Sequence, residues 1–240
     1  MNGGRVLHHL ADGLVVSCQA SAPSPVRHTP TIARIAQAAV LGGAVGIRAN
    51  GVDDVASIAA LAQTPLIGLL KTHNGVRDVI TTSFAHAQAL VDAGATVVAL
   101  EVTAETDWVG AELVARVHDE LGVPVMADVS TLDEGLRAWE AGADLVGTTL
   151  SGYTPASRAA SGAGPGPDLA LVGQLAHAGV RTVAEGRISS PEAVSAAFEH
   201  GAFAVVVGGA ITDPLLSTRR FAAVAPRARP PAAPNGRGES

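Results

Sequence analysis

Short apolar runs alternate along the chain with longer alanine-rich stretches, and many of the apolar runs stop at a polar group. The run Pro65-Leu-Ile-Gly-Leu-Leu-Lys71 shows the pattern most plainly. Proline suits the first position of a strand, the residues after it read as a strand covered on both faces, and a lysine closes it. The same pattern predicts strands over 13–19, 44–48, 65–71, 96–101, 124–128, 145–149, 181–185 and 204–208. Helices are predicted over 1–12, 31–41, 52–62, 83–93, 108–121, 132–141, 168–178, 191–200 and 214–224, several closed by glycine. The Ser/Pro-rich stretch 20–30 and the low-complexity stretch 157–167 read as loops. The tail 225–240, rich in Pro, Arg and Gly, is expected to be disordered.

Eight strands alternating with helices predict an α/β protein of the (β/α)₈ barrel type, a TIM barrel, as one domain over residues 1–224. From Gln19 to Gly208 is 189 residues over seven intervals, a spacing of 27, which suits a compact barrel unit. No G-x-G-x-x-G follows the first strand, so a doubly wound dinucleotide-binding sheet has no support. Composition narrows the core. With 240 residues, 48% of them hydrophobic but only 3% aromatic, the interior must be built from Ala, Val, Leu and Ile.

A net charge of −6 gives no electrostatic footprint for nucleic acid, and no apolar run is long enough to cross a membrane. Cys18 is the sole cysteine, so no intrachain disulfide forms, and the first residues lack the apolar core of a secretory signal. A cytoplasmic location follows as the expectation. Cys18 faces away from Gln19 by strand alternation and reads as a packed thiol. The eight histidines show no metal-ligand spacing; His86, His118, His177 and His200 fall on predicted helices, and His73 lies just beyond Lys71. No metal site is argued.

Aligned by their apolar runs, the strands end in Gln19, Arg48, Lys71, Glu101, Asp128, Thr149 and Glu185. A buried charge is costly unless paired, whereas the C-terminal mouth of a parallel barrel gathers such groups around a polar substrate. By alternation Lys71 shares a face with Ile67 and Leu69, and Asp128 with Met126, so both can point inward. Lys71 is the candidate acid/base or Schiff-base group. After strand seven come Gly186 and Arg187, and after strand eight Gly208 and Gly209, where barrels present backbone N–H groups to phosphate, and the N-terminus of the last helix is expected to add its dipole.

The segments Val16-Ser-Cys-Gln-Ala20, Gly42-Gly-Ala-Val-Gly-Ile-Arg-Ala-Asn-Gly51, Ile67-Gly-Leu-Leu-Lys71, Met126-Ala-Asp-Val-Ser-Thr131, Gly147-Thr-Thr-Leu-Ser-Gly-Tyr-Thr154, Ala184-Glu-Gly-Arg-Ile188 and Val206-Val-Gly-Gly-Ala-Ile-Thr212 resemble the N-acetylmannosamine-6-phosphate 2-epimerase family, in order, over about residues 13–224. The resemblance implies a barrel enzyme of sialic acid breakdown. It would interconvert N-acetylmannosamine 6-phosphate and N-acetylglucosamine 6-phosphate, a phosphorylated amino sugar pair, without redox cofactor or metal. It also implies Lys71 as the proton-transfer residue and Glu185 as its partner at the sugar, with Gln19, Arg48 and Asp128 binding it; Arg187 is assigned to the substrate, and Gly186, Gly208 and Gly209 to the phosphate, from their places after strands seven and eight. A homodimer is compatible with the sequence, which leaves the oligomeric state open.

Three positions depart from the family pattern: Glu101-Val-Thr103 where it reads Asp-Ala-Thr, Ile80-Thr-Thr82 where it reads Ile-Thr-Pro, and Asp213 where it tends to place Arg. Asp213 is expected to repel the phosphate, with Arg187 or Arg219 as compensating cations. Two other readings compete with the epimerase: a Schiff-base aldolase using Lys71, and a phosphosugar-binding sensor without catalysis.

Overall fold

The computed structural model describes residues 3–20, 24–106, 108–160 and 166–226, with only the backbone of Ala159 and Ala160. Eight parallel strands close into a barrel: β1 (Gly13–Cys18), β2 (Gly46–Asn50), β3 (Leu66–Leu69), then, past a hairpin of β4 (Lys71–His73) and β5 (Asp78–Ile80), β6 (Val97–Glu101), β7 (Val125–Asp128), β8 (Leu145–Gly147), β9 (Thr182–Glu185) and β10 (Ala204–Val207). Pairing of β1 with both β2 and β10 completes the ring. The helices are α1 (Gly3–Leu10), α2 (Thr29–Leu41), α3 (Val52–Ala59), α4 (Phe84–Asp92), α5 (Val109–Leu121), α6 (Leu132–Glu140), α7 (Pro155–Ala160), α8 (Leu169–His177), α9 (Pro191–Glu199), α10 (Gly209–Thr212) and α11 (Pro214–Ala222). This is the expected (β/α)₈ barrel.

Strand alternation sorts each strand into two cores. Val15, Ile67, Leu69, Val97, Ala99, Met126, Leu145, Val183 and Val206 pack inside the barrel, and Val6 and Leu10 of α1 close its lower end. Val16, Cys18, Ile47, Ala49, Val98, Leu100, Val125 and Ala127 pack outward against the helices. Cys18 is therefore the packed thiol expected, its pKa pushed up to about 12 by burial and then by Asp54. Burying each such aliphatic side chain contributes roughly 1.5–3 kcal/mol, so the two layers hold the strand ends where the sequence places its polar groups.

Local signals set the helix ends. Ser83, Asp168 and Ser190 each accept a hydrogen bond from the first turn of the helix they precede, and Thr131 forms a reciprocal capping box with Glu134. At the other end of α5, Gly122 adopts φ 65°, a left-handed conformation glycine takes without Cβ strain.

The chain differs from expectation in three places. Strand three stops at Leu69, because the Leu70 carbonyl accepts from Thr81 N (2.8 Å) and the Leu70 amide donates to Thr81 Oγ1 (3.0 Å). Lys71 then opens the antiparallel hairpin β4–β5 rather than closing a barrel strand, in register with Ile80. Helix α7 begins ahead of the stretch read as a loop, and α10 occupies the glycine turn after β10. Residues 161–165 of the low-complexity stretch and 227–240 of the tail lie outside the described residues.

Candidate active site

The polar strand ends converge on the C-terminal mouth, in two tiers. The lower tier is a buried ion-pair cluster. Arg48 lies between outward-facing Ile47 and Ala49, so its side chain enters the barrel, where it is 1% exposed. It donates to both oxygens of Asp128 (Nη1 to Oδ1, 3.0 Å; Nη2 to Oδ2, 2.6 Å) and pairs with Glu185 through Nη1 to Oε2 at 2.8 Å. Thr149 Oγ1 contacts the same two acids, at 2.6 Å from Asp128 Oδ1 and 3.2 Å from Glu185 Oε2. Gly147 makes room: a Cβ there would lie 2.4 Å from Met126 Cε and 3.1 Å from Asp128 Oδ1.

The upper tier opens to a cavity of about 680 Å³, a size suited to a small molecule. Gln19, Lys71, Glu185, Gly186, Arg187, Gly208 and Gly209 all line it, as expected from the sequence. Lys71 Nζ donates to Gln19 Oε1 at 2.8 Å, and Gln19 Nε2 donates to Ser17 Oγ at 2.8 Å. Arg48 and Asp128, expected to touch substrate, are not among the lining residues; they sit beneath the floor, where Arg48, gripped by Asp128, pairs with Glu185. The structure thereby separates the two carboxylates, one facing the cavity and one buried behind it.

Electrostatics follow from this layering. Lys71 keeps an exposed surface, but crowding of its amine by the packed mouth, and then the Arg48 charge, lower it below the ordinary lysine range, with Glu185 and Asp128 acting against them. Burial pushes the Glu185 carboxyl up to about 7, opposed by Arg48 and reinforced by Asp128. Burial disfavours the Arg48 charge, but Asp128 and then Glu185 outweigh it and raise its pKa.

Arg187 has φ 56° and follows Gly186 at φ 108°, a left-handed pair that turns the chain across the β9 exit. Its guanidinium donates to the carbonyls of Gly166 (Nε, 2.8 Å) and Ser151 (Nη1), and faces the Tyr153 ring. Arg220, a residue the sequence did not single out, lines the cavity from α11, whereas Arg219 does not. His73 is exposed and pairs with Asp78 across the hairpin at 3.2 Å.

Asp213 requires a correction. It is no solvated acid facing a phosphate but a buried N-cap, 1% exposed, whose Oδ1 accepts from Leu215 N (3.0 Å), Leu216 N (3.4 Å) and Ser24 Oγ (3.2 Å). The N-terminus of α11, expected to help hold the phosphate, is thus already occupied by the chain's own carboxylate. The signal was present in Asp213-Pro214, an N-cap residue followed by proline at the first helical position.

A lysine and a carboxyl facing one cavity at the strand C-termini of a (β/α)₈ barrel, the amine shifted down and the acid up, form the arrangement that barrel enzymes of the acid–base class use. The family model described as "Putative N-acetylmannosamine-6-phosphate epimerase" matches residues 32–226, and the chain belongs to that family. A relative from Caldanaerobacter subterraneus subsp. tengcongensis, named "Putative N-acetylmannosamine-6-phosphate 2-epimerase", is 43% identical over 223 residues, covering 90% of this chain and 92% of its own. A relative of the same name from Cutibacterium acnes is 43% identical over 224 residues, covering 90% and 95%. Among solved structures, the N-acetylmannosamine-6-phosphate 2-epimerase from Clostridium perfringens superposes with a TM-score of 0.83 at 35% identity, covering 91% of this chain and 96% of the other. A thiamine phosphate pyrophosphorylase from Pyrococcus furiosus, at TM-score 0.57 and 15% identity, shares the fold alone.

Proposed function

We propose that the protein interconverts N-acetylmannosamine 6-phosphate and N-acetylglucosamine 6-phosphate by moving a proton at carbon 2, in amino-sugar and sialic acid catabolism. The observation that carries this reading is the placement of Lys71 and Glu185 on one cavity with pKa values shifted toward each other. In the open-chain sugar, carbon 2 is α to the aldehyde. Neutral Lys71 removes the carbon-2 proton, and protonated Glu185 donates to the aldehyde oxygen, giving the enol. After the enol turns about its carbon 2–carbon 3 bond, the Lys71 ammonium returns a proton to the opposite face of carbon 2 and Glu185 recovers its proton from the enol oxygen, which completes the inversion and leaves both groups as they began. Gln19 fixes the Lys71 amine; Arg48 and Thr149, both bonded to Asp128, fix Glu185.

The phosphate end belongs, in this reading, beside Gly186, Gly208 and Gly209, with Arg187 and Arg220 as the cations on the same cavity. A cytoplasmic location is supported by the single, buried Cys18. Among the described residues no helix is long and apolar enough to cross a membrane.

The deciding experiment follows the proton. With N-acetylmannosamine 6-phosphate in heavy water, the wild type is expected to place deuterium at carbon 2 of the product, and Lys71→Ala to place none while keeping its fold. A Lys71 adduct trapped by borohydride would overturn the reading in favour of an aldolase, and absence of turnover with intact binding would favour a sensor.

A further inference from the structure

Glu101 ends β6 with its side chain fully buried inside the barrel mouth, yet the chemistry above does not use it. It faces the hairpin instead. Both of its oxygens take the Arg77 guanidinium, Nη2 to Oε1 and Nη1 to Oε2 (3.1 Å), and it also accepts from Ile80 N (3.3 Å) and Thr103 Oγ1 (2.6 Å). Arg77 extends Nε to Glu105 Oε2 at 2.9 Å and closes on the Asp78 carbonyl at 2.9 Å. Ile80 is the residue opposite Lys71 in the β4–β5 register, so Glu101 is one side-chain hydrogen bond and one backbone pairing from the lysine.

We propose that Arg77 and Glu101 are positioning residues that clamp the β4–β5 hairpin and so hold Lys71 against the cavity. The lysine needs such a device because it stands outside the barrel ladder. At the neck of the hairpin its backbone is held by Asn50 Oδ1, which accepts from Lys71 N at 2.8 Å, and by the Leu70–Thr81 bonds. Beyond the neck, His73, Asn74, Gly75, Val76 and Asp78 are all exposed, Val79 and Ile80 of the return strand are buried, and Arg77 ties the turn end of the hairpin to Glu101 in the barrel wall. A planar guanidinium gripping a carboxylate by two bonds fixes direction as well as distance, which a lone backbone bond does not. A base displaced by about 1 Å from its reacting geometry loses about 100-fold in rate. The inference rests on Lys71 being the proton-transfer residue proposed above.

The test compares wild type, Arg77→Lys and Arg77→Met. The steady-state kcat of Arg77→Met is expected to fall at least tenfold with KM within about twofold, and Arg77→Lys, which keeps the charge but loses the fork, to lie between it and wild type. A second readout is independent of turnover: the pH dependence of Lys71 acetylation by acetic anhydride, read by peptide mass spectrometry, is expected to move toward that of an ordinary lysine in Arg77→Met. If that variant does not fold, Arg77→Lys decides, a kcat below one-third of wild type supporting the clamp and a higher one overturning it. Wild-type kcat and an unmoved Lys71 acetylation profile in folded Arg77→Met overturn it. Failure of the wild type to exchange the carbon-2 proton would instead remove the epimerase reading, and the acetylation profile would still decide the clamp.

Discussion

Lys71 Nζ lies 2.8 Å from Gln19 Oε1, and Gln19 is itself oriented by Ser17 Oγ at 2.8 Å. The amide ties the hairpin lysine to the first barrel strand across the cavity. A neutral oxygen serves better here than a carboxylate, which would stabilise the ammonium and hold the proton that a base must give up. Gln19→Leu removes one hydrogen bond of about 1 kcal/mol, so kcat is expected to fall roughly five- to tenfold. Steady-state kinetics with an unchanged melting temperature would confirm that the loss is at the site.

Glu185 sets a pH signature. Its carboxyl is pushed up to about 7, and the proposed chemistry uses it protonated, so its contribution falls as pH rises through about 7. Lys71 is used neutral, so its contribution rises with pH. The wild-type profile should be bell-shaped with one limb near pH 7. In Glu185→Gln the falling factor is gone; the residual rate, lower by about 10²–10⁴-fold, should rise with pH and level off. A bell that persists in this variant assigns the limb to another group.

Arg48 is the cation of a buried cluster, with Asp128 fully buried beneath it. Arg48→Met leaves that carboxylate uncompensated and should destabilise the fold by about 3–5 kcal/mol. Pairing it with Asp128→Asn removes the stranded charge, so the double variant should unfold at higher urea than Arg48→Met alone. Simple additivity of the two losses in urea titrations would show that the pair is not coupled.

Asp213→Asn should keep the α11 cap and leave stability nearly unchanged, since Asn and Asp cap about equally well. Asp213→Ala is expected to cost about 1 kcal/mol, and Asp213→Arg more, because it places a charge at a buried helix start. Thermal melts order the three. An Asp213→Arg variant that binds the phosphosugar more tightly at full stability would restore a direct role for this position at the phosphate.

The barrel and most of its mouth were legible because one rule covers both. Apolar runs end where the ladder ends, and Gln19 and Glu185 stand at those ends, with Lys71 two residues past the end of β3. Depth was not legible. Nothing in the spacing of Asp128 and Glu185 says that Arg48 sits below one and beside the other, since that depends on barrel stagger and on the space Gly147 leaves. The hairpin was legible in principle: Asn74-Gly75 is a turn signal, and in the structure Asn74 Oδ1 accepts from Val76 N and Arg77 N at 3.0 Å each. Following the apolar run through to Lys71 hid it. Glu101 was grouped with the strand-end charges, but its partner Arg77 lies in a turn, and pairing across such a turn carries no periodic trace.

Helix α1 stoppers the barrel with Val6 and Leu10, both essentially inaccessible to water. Among the described residues the mouth is therefore a well whose door lies at the strand C-termini. In the proposed reaction either epimer enters and leaves past Lys71 and Glu185, so the two compete for the same vacancy. Traffic through that door takes its direction from whichever neighbouring reaction empties one side faster.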